Sequence, residues 1–145
     1  MASKQHDDLV RVIKLWVESN EPSSLFDNFY DIPGNWDKPF PILSKNKTVI
    51  KRIPDYYGTS KDMKICYIGE AKTDFHGQSI QDSRAVAQLK AFFEFLINCR
   101  FSSSMFLLAI PASDLGIAKH IVGEVKKETG YPNSVKYFTK DGIEK

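Results

Sequence analysis

Two acids and a lysine are the residues of this chain best suited to carry out chemistry. Asp55 directly follows Pro54, and Glu70 and Lys72 stand two positions apart, fifteen residues further along. The segment 64–73 around the later pair has a strand-like composition, and alternate residues of a strand face the same way. A hairpin would bring Asp55 beside Glu70. Two carboxylates and an ammonium on one patch of sheet can hold a hard divalent cation and steer a water, which is the chemistry that cuts a phosphodiester.

Paired charges on an exposed strand would produce the same Glu-x-Lys pattern without any function. Three features favour a site. Cys66 and Ile68 would share the strand face of the pair, where charges are costly unless they are paired or metal-bound. Asp55 lies at the end of the predicted preceding strand, so a hairpin can bring the two acids together. The helix that follows carries Gln88 in its first turns, sixteen residues past Lys72.

The elements that position these residues follow from hydrophobic spacing and turn signals. The predicted helices are about 9–17, 25–30, 80–99 and 113–129, and the predicted strands are 40–43, 48–53, 64–73, 105–110 and 135–139. Residues 6–8 are predicted to precede the first helix, 56–62 to form a turn, and 135–139 to be an edge strand. Helices on both faces of a mixed β-sheet give an α/β fold in one domain over residues 1–145.

Composition excludes a membrane-spanning protein. No apolar run approaches the roughly 20 residues that a bilayer span requires, and the first ten residues lack the apolar stretch of a signal peptide. Cys66 and Cys99 are the only cysteines, and both lie in apolar segments. We expect two buried free thiols, as suits a reducing cytoplasm, and therefore an intracellular protein.

The motif resembles that of the PD-(D/E)XK nuclease superfamily. Pro54-Asp55 and Glu70-Ala71-Lys72 match the pattern of that superfamily in full. The predicted order of elements is also similar to its αβββαβ core, the restriction-endonuclease-like fold. Gln88 looks like the helix glutamine of relatives of recombination-associated exonucleases, which usually carry a tyrosine where this chain has phenylalanine.

The resemblance implies a role for each residue of the motif. Asp55 and Glu70 would be carboxylate ligands of Mg²⁺, for which Mn²⁺ can substitute, and the backbone carbonyl of Ala71 would be a further ligand. Lys72 would orient or deprotonate the attacking water, or offset charge on the phosphate in the transition state. Gln88 would hold the scissile phosphate or a metal-bound water, with a solvent-facing helix residue as the equal alternative.

Two further groups would extend the site. Many relatives add an acid from the first helix, for which Glu18 is the candidate and Asp8 the competitor, although such residues are more often surface charges. Basic residues on the hairpin before Asp55 are candidates for contact with a phosphate backbone. They are Lys45, Lys47, Lys51 and Arg52. Lysines at a hairpin tip also keep a sheet edge soluble, which is the alternative interpretation.

Together these observations predict a Mg²⁺-dependent nuclease that hydrolyses DNA phosphodiester bonds, preferably as an endonuclease. RNA stays open as a substrate because the hydrolytic chemistry is shared. A chain this short is expected to act as a homodimer or within a larger complex. Two alternatives remain: an exonuclease directed at single strands, which Gln88 favours, and a non-catalytic nucleic-acid-binding or scaffold module with a nuclease-like fold.

Overall fold

One mixed sheet carries helices on both of its faces. The computed structural model describes residues 4–20, 25–30, 55–60, 64–73, 84–98 and 103–144. In chain order the helices and strands are α1 (Lys4–Asn20), β1 (Leu25–Tyr30), β2 (Tyr56–Ser60), β3 (Ile65–Ala71), α2 (Arg84–Asn98), β4 (Ser103–Ala109), α3 (Leu115–Thr129), β5 (Val135–Thr139) and β6 (Gly142–Ile143). A short 3₁₀ turn, Ala112–Asp114, leads into α3.

The strands lie side by side in the order in which they occur along the chain. β1, β2 and β3 pair antiparallel, β3, β4 and β5 run parallel, and β5 and β6 are antiparallel. Parallel neighbours need long crossover connections, which α2 supplies between β3 and β4 and α3 supplies between β4 and β5. The predicted α/β class with a mixed sheet is therefore confirmed.

Helix α1 packs on one face of the sheet. Its apolar residues recur every three or four positions and so form one buried stripe. They are Leu9, Val10, Ile13 and Val17. The stripe contacts residues of four strands, namely Tyr56, Tyr67, Ala71, Leu107, Ala109 and Phe138. Because α1 lies across β2 and β3 together, its position is tied to the strands that carry the predicted acids.

Helices α2 and α3 pack on the opposite face, against Cys66 and Ile68 of β3. Three phenylalanines form the centre of this layer. The ring of Phe106 stacks with Phe92 at a centroid distance of 6.1 Å and meets Phe93 edge-on at 5.1 Å. These contacts tie α2 to β4, and they bring the first turns of α2 to the side of β3 that Cys66 and Ile68 share.

Two element predictions are wrong. Leu25–Tyr30, predicted as a short helix, is strand β1, and the predicted turn at 56–62 contains strand β2. Both segments are short and rich in aromatic residues, which favour a pleated surface. They pair with each other, and this pairing supplies backbone hydrogen bonds. An isolated helix of two turns is less stable, because its first turn is costly to form. The predicted strands 40–43 and 48–53 lie outside the described residues.

Two helix starts and the position of one strand also differ from the prediction. Helix α1 begins at Lys4, so residues 6–8 belong to its first turns and do not precede it. Asp114, not Ser113, occupies the position before α3, whereas the predicted end at Gly130 is confirmed by its left-handed φ of 78°. Strand β5 is not at an edge, because β6 pairs along its outer side.

Membrane and cysteine predictions are tested in part. Among the described helices, none has both the length and the apolar character needed to cross a bilayer. Cys66 is buried and is not joined in a disulfide, as predicted. Cys99 lies outside the described residues.

Phe106→Ala should lower the free energy of unfolding by about 3–5 kcal/mol, because it removes a fully buried ring that joins α2 to β4. Urea denaturation followed by circular dichroism would measure the change. Leu15→Ala is the control, since Leu15 is 61% exposed and its loss should change stability by less than about 0.5 kcal/mol. Similar losses in the two variants would contradict this packing.

Candidate active site

The register of β2 against β3 brings the two predicted acids together. Tyr56 pairs with Gly69, so Asp55 and Glu70 lie beside each other where the two strands end their pairing. The backbone N–H of Asp55 donates to Glu70 Oε1 at 3.1 Å. The backbone N–H of Ala71 donates in turn to Asp55 Oδ2 at 2.8 Å. Both acids are buried, with 8% and 3% of their surfaces exposed, and each is fixed by a main-chain donor.

Lys72 joins the acids to helix α2. Its Nζ lies 3.5 Å from Glu70 Oε2 and donates to Gln88 Oε1. Only 14% of the Lys72 side chain is exposed. The side chains of Asp55, Glu70, Lys72 and Gln88 therefore form one connected cluster at the end of β3, although they come from three separate segments of the sequence.

His6 is a fifth member of the cluster, and the sequence analysis missed it. Its Nε2 lies 3.1 Å from Asp55 Oδ2. A carboxylate oxygen accepts from an imidazole N–H, so the His6 tautomer with its proton on Nε2 forms this hydrogen bond. The signal that would have found His6 is helical spacing: it lies seven residues, or two turns, before the buried Ile13 and so on the same face of α1. A predicted start of α1 at Leu9 concealed that relation.

Asp55 raises the pKa of His6. The largest cause is their hydrogen bond, and burial of the ring acts in the opposite direction. Asp7 adds a smaller raising effect, since its Oδ1 lies 3.8 Å from His6 Nδ1. His6 holds Asp55 from the side of α1, and Ala71 holds it from β3. The carboxylate is therefore oriented from two directions, as is typical of a metal ligand with supporting contacts.

The pKa of Glu70 lies well above its usual range. The main cause is burial, which disfavours the charged carboxylate, and the second is the negative charge of Asp55. The Lys72 ammonium acts in the opposite direction without cancelling these effects. Two buried carboxylates of this kind repel each other when both are ionised. A cation beside them would relieve that repulsion.

The available donors suit magnesium. Within the ranges that the structure describes, no three Asp, Glu, His or Cys side chains are grouped as a metal site. Mg²⁺ is commonly held by only one or two carboxylates and keeps several waters, so Asp55 and Glu70 meet its needs. The Lys72 N–H donates to Ala109, so the neighbouring Ala71 directs its own N–H and C=O to the other edge of β3, where Asp55 lies.

The two acids predicted from the first helix, Glu18 and Asp8, do not join this cluster. Glu18 pairs with Lys14 at 3.7 Å and is half exposed. It lies twelve residues after His6, which is about 18 Å further along α1. Its competitor Asp8 pairs with the exposed Lys4 at 2.7 Å. The basic residues proposed for nucleic-acid contact, Lys45, Lys47, Lys51 and Arg52, lie outside the described residues.

The raised pKa of Glu70 predicts how stability depends on pH. The native state holds the Glu70 proton more tightly than the unfolded state, so stability is lost as pH rises from the ordinary value of 4.5 toward the raised one. Glu70→Gln stays neutral throughout. The unfolding free energy of wild type minus that of Glu70→Gln should therefore fall with pH above 4.5, by at most about 1.4 kcal/mol per unit.

Urea titrations in EDTA at several pH values would measure this difference. Glu128→Gln serves as the control, because Glu128 is exposed on α3, and its difference from wild type should not vary in the same direction. Parallel pH profiles for wild type and Glu70→Gln would contradict the electrostatic account of Glu70.

Comparisons with known proteins supply no relative. The chain matches no protein-family model, no curated protein and no solved structure. Family membership is therefore not assigned, and function is inferred from the geometry of the cluster formed by His6, Asp55, Glu70, Lys72 and Gln88.

Proposed function

We propose that this protein is a Mg²⁺-dependent nuclease that hydrolyses DNA phosphodiester bonds as an endonuclease, with a site and core of the PD-(D/E)XK type. The proposal is carried by one observation, the convergence of Asp55, Glu70 and Lys72 at the end of β3. Charges that only kept the protein soluble would be exposed, whereas two buried acids side by side are costly when both are ionised. A role in holding a cation and a phosphate explains why they are there.

Asp55 and Glu70, together with the carbonyl of Ala71, would hold the magnesium ion. When bound, the ion acidifies a coordinated water and offsets charge on the phosphate. The contribution of the protein is orientation: Asp55 is held by His6 and by the Ala71 N–H, and Glu70 by the Asp55 N–H. Ligands fixed in this way lose little freedom when a cation binds, so little of the binding free energy is used to order them.

Lys72 supplies the positive charge beside the acids. It is held by Glu70 from its own strand and by Gln88 from α2. From there its ammonium can orient the attacking water and stabilise the negative charge that develops on the phosphate oxygens. Because Gln88 accepts a hydrogen bond from Lys72, we assign it the orientation of this lysine in addition to its proposed contact with phosphate or water.

We propose DNA as the partner and substrate. Residues Lys45, Lys47, Lys51 and Arg52 precede Asp55 in the chain, and residues 45–145 carry sixteen Lys and Arg against eleven Asp and Glu. Such a basic excess supports contact with a phosphate backbone. A homodimer would place two equivalent sites about a two-fold axis, as suits the two strands of a duplex.

Supercoiled plasmid separates the proposed endonuclease from its alternatives. The purified protein should nick or linearise closed circles in Mg²⁺ or Mn²⁺ and should be inactive in EDTA. Degradation of linear or single-stranded DNA, with closed circles left intact, would instead indicate an exonuclease. Binding of DNA or RNA without metal-dependent cleavage of either would contradict the nuclease and favour a binding module.

Asp55→Asn, Glu70→Gln and Lys72→Met should each lower the rate of plasmid cleavage by roughly 100-fold or more, because each removes a charge that acts in the transition state. The matched controls are Glu128→Gln and Lys127→Met, which neutralise exposed charges on α3. Both should cleave at the wild-type rate. If cleavage survived in all three site variants, the activity would belong to another site or to a contaminant.

His6→Ala should lower the cleavage rate by roughly 10- to 100-fold and raise the Mg²⁺ concentration needed for half-maximal rate, because Asp55 loses its contact with α1. The control is His120→Ala, at an exposed position on α3. An unchanged rate and an unchanged Mg²⁺ requirement in His6→Ala would show that Ala71 alone is sufficient to orient Asp55.

A further inference from the structure

Helix α1 lies close to β3 at Gly69. A Cβ placed on Gly69 would lie 2.9 Å from Ile13 Cγ2 and 3.1 Å from Tyr56 Cβ. Carbon atoms in ordinary contact are about 3.5–4.0 Å apart. The atoms in question are close to the backbone, on a β-branched side chain and at the root of a tyrosine, so neither can swing aside. Gly69 is needed here for space, since the positive φ values in the described chain belong to Gly130 and Gly142.

The contact at Gly69 lies on the face of α1 that also carries His6. Ile13 lies two helical turns after His6 on the same face of α1, about 10.5 Å along the helix axis. Because α1 is stiff over that length, a change in the distance between Ile13 and Gly69 would also change the distance between His6 and Asp55. Tyr56, the other close neighbour, directly follows Asp55 in the chain. One small residue therefore governs both partners of the His6–Asp55 hydrogen bond.

We propose that Gly69 is a positioning residue of the active site. Because Gly69 has no side chain, α1 can pack close enough to β3 for His6 to hydrogen-bond to Asp55. The inference rests on the proposed nuclease function for its effect on cleavage, but this close packing does not depend on that function. To relieve the 2.9 Å contact, α1 or β2 would have to move by roughly 0.5–1 Å. The His6–Asp55 distance of 3.1 Å would then exceed the range of a hydrogen bond.

Cleavage rates of wild type, Gly69→Ala, His6→Ala and the double variant test the proposal. If Gly69 acts through His6, each single variant should lose roughly 10- to 100-fold. The double variant should then lie within about twofold of the slower single variant. Gly123→Ala is the matched control, because a Cβ there meets no atom within 4 Å, and it should cleave like wild type. Losses that multiply in the double variant would show that Gly69 acts elsewhere and would overturn the proposal.

NMR spectroscopy tests the positioning role without relying on cleavage activity. The chain has three histidines, so the ring signals of His6 can be assigned by their loss in His6→Ala. In metal-free protein these nitrogen–proton correlations should shift in Gly69→Ala and stay in place in Gly123→Ala. If wild type cleaves no nucleic acid but the His6 signals shift as expected, the proposed function fails and the positioning role stands. If wild type cleaves and Gly69→Ala changes neither rate nor signals, the positioning role fails alone.

A rescue variant covers the case in which Gly69→Ala does not fold. Ile13→Ala removes Cγ2 and Cδ1, which are two of the three atoms nearest to the added methyl group. Gly69→Ala combined with Ile13→Ala relieves the closest contact and leaves the 3.1 Å contact with Tyr56 Cβ. It should return the His6 signals toward their wild-type positions and recover at least tenfold of the lost rate. Signals that remain displaced in this folded double variant would overturn the steric link between Gly69 and His6.

Discussion

The hydrogen bonds that Asp55 exchanges with β3 are the constraint on which the candidate site depends. The Glu70 carboxylate accepts a hydrogen bond from the Asp55 N–H, and the Asp55 carboxylate accepts one from the Ala71 N–H. These side chains take the place of a backbone partner where the ladder between β2 and β3 ends at the Tyr56–Gly69 pair. Loss of either acid would leave a buried N–H unsatisfied, at a cost of about 1–3 kcal/mol. The same carboxylates therefore serve the sheet and the site.

The cluster is built from elements on both faces of the sheet. Gln88 reaches Lys72 from α2, and His6 reaches Asp55 from α1. Strand β3 lies between these layers, so residues from both helices reach the cluster at its end, His6 at Asp55 and Gln88 at Lys72. The geometry of the cluster is thus a property of the packed sheet and both layers, and a shift of either helix would alter it.

Features of the fold and the site that depend on local residue spacing could be predicted from the sequence. Alternation along β3 and the Glu-x-Lys spacing placed Glu70 and Lys72 on one face, and the fold class followed from the order of elements. Strands β1 and β2 were missed because short aromatic segments are decided by their pairing partners, which local spacing does not reveal. His6 was missed with the start of α1, and Gly69 gave no signal because its importance lies in the distance to a helix far away in sequence.

The proposed metal site would link the stability of the fold to its ionic surroundings. A ligand that binds only the native state raises stability with its concentration, by about 2.7 kcal/mol at one hundred times its dissociation constant. A divalent ion seated between Asp55 and Glu70 would act in this way. Under the proposed function, the protein would resist heat and proteolysis better with the ion than in a chelator, so chelation would lower stability as well as cleavage.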